Sequence, residues 1–239
     1  MKISLILPAY NESEIIRANV LAARAFLTES FPDFELIVVD DGSTDATPAI
    51  VSALQDNRVR VISYPANRGK GHAVRTGVLS AVGDLVFYTD ADLAYGFNPL
   101  TEAVQAFAEH PSDLVIGSRR LSPDGYGEYS ALRIFTSRLF ALVARVLSGS
   151  RYDTQCGFKG FTRDAAQAIF SRCKTDGFAF DFEVVLLADA LNLQVAQLPV
   201  KILHHGTSSV RLLRDSVRML LEIRRIRRRV NNPRKESRS

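Results

Sequence analysis

Cysteine is scarce in this chain: Cys156 and Cys173 are the two among 239 residues. They lack metal-ligand spacing and are too few for a disulfide framework, so a reducing cytoplasm is the expected setting. Long hydrophobic runs are missing as well. No apolar stretch approaches the roughly 20 residues that cross a bilayer, and no basic segment leads into an apolar one at the amino terminus. Any membrane contact is therefore expected to be peripheral. Neither a Walker loop nor Gly-x-Gly-x-x-Gly occurs, which disfavours a nicotinamide-binding Rossmann enzyme.

What is present fits one large α/β domain with a distinct tail. The chain is 46% hydrophobic and 23% charged, enough to bury a substantial core. Charge is unevenly spread. Residues 211–239 hold eleven Lys or Arg against three Asp or Glu, a net +8; because the whole chain is +4, residues 1–210 carry −4. Arg218, Arg224, Arg225 and Arg227 to Arg229 alternate with Val217, Met219, Leu220, Leu221, Ile223 and Ile226. That pattern predicts a basic amphipathic helix, which either lies at a lipid interface or packs on the domain with a solvated face. The division expected is one α/β domain over 1–210 and a basic amphipathic helix with a frayed tail over 211–239.

Short apolar, β-branched-rich runs at 3–7, 35–39, 59–63, 85–89 and 114–117 alternate with helical patterns such as 12–27, 47–54 and 71–82. This layout predicts a mostly parallel sheet covered by helices. In such sheets ligands collect beyond the carboxyl ends of the strands. Four polar clusters fall there: Pro8-Ala9-Tyr10-Asn11-Glu12, Asp40-Asp41-Gly42-Ser43, Asn67-Arg68-Gly69-Lys70-Gly71 and Asp90-Ala91-Asp92.

Each cluster suits a chemical task. Asp90 and Asp92, two apart on a strand, project to one side and can share a divalent cation also held by a diphosphate; the plainer alternative is a solvated turn or a helix cap. Asp40 can accept from a base or ribose, with Gly42 permitting the turn and Ser43 or Asp45 capping the next helix. Lys70, at a helix start, can meet diphosphate charge. Tyr10 either stacks on a base or is a partly buried structural tyrosine. Asp181 and Glu183 fall on opposite or diagonal faces if helical, and so do not form an evident acid/base pair.

Taken together, Pro8 to Glu12, Val38-Val39-Asp40-Asp41-Gly42-Ser43-Thr44-Asp45, Asn67 to Gly71 and Thr89-Asp90-Ala91-Asp92 resemble the family 2 glycosyltransferases. That resemblance implies the GT-A fold, a Rossmann-like α/β arrangement, and a nucleoside-diphosphate-sugar donor. The second half is similar to the polyprenyl-phosphate branch, through Gly117-Ser118-Arg119, Arg133, Ser137 and Asp153-Thr154-Gln155-Cys156-Gly157-Phe158-Lys159; the last run is most similar to dolichyl-phosphate glucosyltransferases. Mannose synthases of the branch usually carry Gln where this chain has Ala94.

The resemblance implies donor contacts from Pro8, Ala9, Tyr10, Glu12, Asp40, Lys70, Asp90, Ala91, Asp92 and Arg211, and Mg²⁺ or Mn²⁺ on Asp90 and Asp92. His204 and His205 are further candidates for the donor phosphates. Arg119, Arg133 and the Ser137 hydroxyl are implied to grip the acceptor phosphate, a task suited to bidentate guanidinium forks. The helix pattern around Arg133, rich in Leu, Ile and Phe, is equally that of an ordinary amphipathic helix or of an interfacial one presenting arginines at headgroup level. The activity expected is inverting transfer of glucose from UDP-glucose to a polyprenyl phosphate at the cytoplasmic face of a membrane. GDP-mannose as donor and a soluble or glycan acceptor are the alternatives within the family. A nucleic-acid-binding or scaffold role for the +8 tail is the alternative of another class; the intact loop motifs argue against it, and no nucleic-acid partner is expected.

Overall fold

The structure is a computed structural model that describes residues 1–125, 142–143, 146, 149, 152–203 and 212–231, the last segment by backbone alone as far as residue 220. Its centre is a seven-stranded sheet of order β3-β2-β1-β4-β6-β5-β7. The strands are β1 (Ile3–Ala9), β2 (Phe34–Asp40), β3 (Val59–Ser63), β4 (Leu85–Tyr88), β5 (Leu114–Ser118), β6 (Lys159–Thr162) and β7 (Val195–Pro199). Six are mutually parallel where they pair with one another; β6 runs antiparallel between β4 and β5. The helices are α1 (Ile16–Ser30), α2 (Thr47–Ser52), α3 (Lys70–Ser80), α4 (Asn98–Glu109), α5 (Arg163–Phe170), α6 (Phe180–Ala190) and α7 (Leu212–Asn231).

The central strands read as continuous apolar runs because helices cover both faces. Ile3, Leu5 and Leu7 point to one side, where they meet Val20 and Leu27 of α1, Val51 of α2 and Leu100 of α4. Ile6 points to the other, with Val74 and Val78 of α3, Ile169 and Phe170 of α5, and Val184 of α6. Pro stands in the first turn of both α2 and α4, where its missing N–H costs nothing.

Two expectations shift, and of the two alternatives for the basic helix the structure shows the packed one for part of its apolar stripe. The first helix begins at Ile16 rather than Glu12, because the backbone N–H groups of Glu12 and Ser13 are taken by Thr47 Oγ1 (2.8 Å) and Asp45 Oδ2 (3.0 Å). β4 stops at Tyr88, so Asp90 and Asp92 stand in the turn after the strand and strand alternation does not aim them. That turn is closed by Leu93 N–H on Asp90 O (3.0 Å), with Leu93 at φ +52°. Finally, α7 directs Ile223 and Ile226 onto Phe182 and Leu186 of α6. Burying each isoleucine is worth about 1.5–3 kcal/mol, so part of the apolar stripe holds the helix to the domain. Arg224, Arg225 and Arg228 remain on its exposed side.

Candidate active site

The polar clusters meet along the carboxyl edge of the sheet, laced together by their own side chains. Ala9 and Asp40 are register partners at the ends of β1 and β2. Beyond them Asn11, at φ +54°, donates its N–H to Ser43 Oγ (2.9 Å), and its Oδ1 accepts from Thr44 N–H (2.8 Å). Asp45 accepts from Thr47 N–H (2.9 Å) as well as from Ser13, and these bonds outweigh its burial and hold its carboxyl down to about 2. It is a turn organiser and not the helix cap, since Ala46 stands at the N-cap of α2 with no side-chain cap bond. Asp40 is buried and accepts from Ser43 N–H (3.1 Å).

Asp41 builds the third loop. Its carboxylate accepts from Tyr64 Oη–H (2.5 Å), Asn67 Nδ2 (2.8 Å), Arg68 N–H (2.9 Å) and Gly69 N–H (2.9 Å). Gly42, at φ +69°, lets the loop lie close, since a Cβ there would stand 2.4 Å from Ala66 C. The loop delivers Lys70 at the start of α3, and its Nζ reaches Asp90 Oδ1 at 2.5 Å. Burial disfavours the ammonium, but Asp90 and Asp181 outweigh it and raise the Lys70 pKa.

Asp90, Asp92 and Glu12 feel one another. Burial, then Asp90, pushes the Asp92 carboxyl above its ordinary range; burial, then Asp92, Asp45 and Asp90, does the same to Glu12. Carboxylates crowded in this way favour a cation. Among the described residues no three His, Cys, Asp or Glu side chains assemble as a ligand set. Asp90 and Asp92 supply hard oxygen donors of the kind Mg²⁺ or Mn²⁺ takes, with the remaining positions left for water and substrate phosphate. The pair fits such an ion.

The second half of the site arrives from the other direction. Gly157 lies against Asp90 so closely that a Cβ on it would stand 2.3 Å from Asp90 Oδ2. The loop before it is held by Lys159, which is fully buried and donates to Cys156 O (2.8 Å), Thr154 O (3.3 Å) and Asp181 Oδ1 (2.5 Å). Tyr88 adds a bond to the same Asp181 oxygen (2.6 Å). At the end of β5, Arg119 is gripped by Asp153 through Nη2 (3.1 Å), Nε (3.3 Å) and its own N–H (3.2 Å). Segment 200–203 closes this side, with Leu203 N–H on Ala94 O (2.7 Å).

Pro8, Ala9, Tyr10, Glu12, Asp40, Lys70, Asp90, Ala91, Asp92 and Arg119 thus all stand at or beside one edge. Tyr10 is 44% exposed, open to stack rather than buried as structure. Asn19 Nδ2 fixes Ala91 O (2.8 Å). Arg133, Ser137, His204, His205 and Arg211 lie outside the described residues. Asp181 and Glu183 are both enclosed in α6 and engaged by Lys159 and Arg229. The sequence reading missed the structural weight of Asp41, Gly157 and Lys159, the last two of which it held only as members of the Asp153 to Lys159 run.

Comparison with known proteins adds three findings. The family model described as "Glycosyl transferase family 2" matches residues 4–170. A dolichyl-phosphate beta-glucosyltransferase of Dictyostelium discoideum is 32% identical over 94% of this chain and 73% of its own length, and one of Drosophila melanogaster is 36% identical over 84% and 67%. Glucosyl-3-phosphoglycerate synthase from Mycobacterium tuberculosis, crystallised with Mg²⁺ and uridine diphosphate, superposes with a TM-score of 0.67 at 22% identity, covering 93% of this chain and 79% of that one.

Proposed function

Because the chain belongs to glycosyl transferase family 2 and has its GT-A fold, we propose that it transfers glucose from UDP-glucose to a dolichyl-type polyprenyl phosphate, with inversion. The observation that carries this reading is the contact of Gly157 with Asp90. It sets the Asp153 to Lys159 loop, which resembles that of the dolichyl-phosphate branch, directly against the donor-side carboxylates. The names of the Dictyostelium and Drosophila relatives support the same substrate class.

In this reading the first three loops receive the nucleoside, and Lys70 faces the diphosphate. A cation on Asp90 and Asp92, when bound, would neutralise charge on the departing nucleoside diphosphate. A phosphate nucleophile is already anionic, so orientation matters more than proton removal. The pairing of Asp181 and Glu183 with cations agrees with that, because neither acid is poised as a base. Asp153 fixes the plane of the Arg119 guanidinium for an acceptor phosphate, with Arg133 and Ser137 as further proposed grips. Direct attack on an α-linked donor gives a β-linked product. The acceptor is a lipid, and no helix among the described residues is long and apolar enough to cross a membrane. The exposed arginines of α7 complement anionic headgroups, and we place the protein peripherally on the cytoplasmic side.

The test is incubation of the protein and Mn²⁺ with radiolabelled UDP-glucose or GDP-mannose, with and without a short polyprenyl phosphate, followed by counting the organic phase. Lipid-dependent label from UDP-glucose is expected. Label from GDP-mannose alone would replace the donor, and none from either would overturn the lipid-phosphate reading. In the same assay Gly157→Ala is expected to lower turnover roughly a hundredfold, because the new methyl displaces Asp90. Turnover within twofold of wild type would show that this contact does not position the carboxylate.

A further inference from the structure

Arg229 breaks the pattern of its own helix. It follows Ile223 and Ile226 along the side of α7 that meets α6, whereas Arg224, Arg225 and Arg228 are exposed. An arginine turned inward is costly unless paired, and this one is paired with Glu183 at 2.6 Å. We propose that the Glu183–Arg229 pair positions the donor-binding loop, so that α7 supports the nucleotide-sugar site from behind; this rests on the donor reading above.

The connection is continuous in hydrogen bonds. Glu183 is 1% exposed. Its Oε2 accepts from Thr175 N–H (2.7 Å), Lys174 N–H (3.0 Å) and the Cys173 thiol (3.3 Å). Its Oε1 accepts from Arg229 Nη2, which also donates to Thr175 Oγ1 (2.8 Å). Two carboxylate oxygens and one guanidinium thus fix two backbone N–H groups and two side chains of segment 173–175. The other side of that segment bears on the loop carrying Lys70. Thr175 O occupies the space of an absent Gly71 Cβ, at 2.5 Å, and Asp176 O that of an absent Gly69 Cβ, also at 2.5 Å. Asp176 O further accepts from His72 N–H (3.2 Å), while Arg75 reaches Cys173 O (3.2 Å) and Asp176 Oδ1 (2.6 Å). The first turn of α3 therefore leans on segment 173–176, which leans on Glu183. Lys70 leads that turn, and its ammonium reaches Asp90.

Neither Glu183 nor Arg229 reaches Asp90 or Asp92 in this network. They are positioning residues, and their loss should be read in donor handling rather than across the whole reaction. The experiment measures UDP affinity with Mn²⁺ by titration calorimetry, the KM values for donor and lipid acceptor, and the melting temperature. The variants are Arg229→Gln, Arg229→Lys, Glu183→Gln and the apolar pair Glu183→Leu/Arg229→Met. Arg229→Gln and Glu183→Gln are expected to weaken UDP binding and raise the donor KM about five- to tenfold, with the acceptor KM within twofold. Arg229→Lys should restore part of the loss. The apolar pair, which leaves no unpaired buried charge, should keep the fold and still bind UDP poorly. Wild-type UDP affinity in the apolar pair, or equal changes in donor and acceptor KM in every folded variant, would overturn the proposal. Failure of the wild-type protein itself to bind UDP would overturn the donor reading beneath it.

Discussion

Asp92→Ala is expected to lower transfer on the order of a thousandfold or more while leaving the protein folded. Stabilising a departing diphosphate is worth several kcal/mol, and each 1.36 kcal/mol is a factor of about ten in rate. Asp90 alone, already joined to Lys70 at 2.5 Å, offers a cation a poor substitute for two carboxylates. The stability effect should have the opposite sign. Burial and Asp90 raise the Asp92 carboxyl above its unfolded value. Such a group stabilises the fold when protonated, and that contribution is lost as pH rises through the raised value. At neutral pH its charge works against folding. Asp92→Asn retains an acceptor for Ala94 N–H (3.1 Å in the native turn) and loses the charge. It should melt at or above the wild-type temperature and be as inactive as the alanine variant. Protons compete with the cation for the same oxygens, so Mn²⁺-dependent turnover should fall at a higher pH than an ordinary carboxylate would impose. Normal turnover by Asp92→Asn would sink the cation assignment.

Lys159→Met should be the most destabilising single change, at about 3–5 kcal/mol, read as a lower urea midpoint. The lysine is fully buried, and its loss leaves the buried Asp181 with the Tyr88 hydroxyl in place of the Tyr88 and Lys159 donors. It also frees the carbonyls of Thr154 and Cys156. Stability and function separate in the triple variant Tyr88→Phe/Lys159→Met/Asp181→Leu. Removing all three side-chain members of a buried cluster avoids a stranded charge, so this variant should recover part of the lost stability, the freed carbonyls of Thr154 and Cys156 accounting for the rest. The two bonds from Lys159 of β6 to the carbonyls of loop 154–156 are then gone, and turnover should stay low. Recovery of both together would mean that Lys159 serves the core alone.

The sequence showed most of the sheet and the donor loops, because both depend on local signals. β1, β2, β4 and β5 are apolar runs, and the polar residues that follow them are conspicuous. β6 escaped notice for a physical reason. It has four residues, one of them Gly160, which must be small because a Cβ there would stand 2.3 Å from the Phe87 ring across the ladder. Asp90 and Asp92 were found through an alternation rule for strands, yet what brings them together is the turn at Leu93. Asp41, Lys159 and Glu183 draw partners from residues up to 46 positions away, as with Glu183 and Arg229, and no window of sequence contains such a set. The Arg119–Asp153 grip, spanning 34 positions, was visible only as two motifs of a resembling family.

One strand running against its neighbours gives the sheet edge two kinds of traffic. Chain leaves β1, β2 and β4 there, but chain enters β6 there, since Lys159 pairs with Tyr88 near the end of β4. The stretch between β5 and β6, residues 119–158, therefore begins and ends at the site. A lineage can lengthen, shorten or recut that stretch without disturbing the register of β1, β2 and β4. Both ends of the span are anchored, Arg119 by Asp153 and Gly157 against Asp90, so under the proposed function the length between these anchors can change the acceptor contacts, while a change at Gly157 reaches the donor side as well.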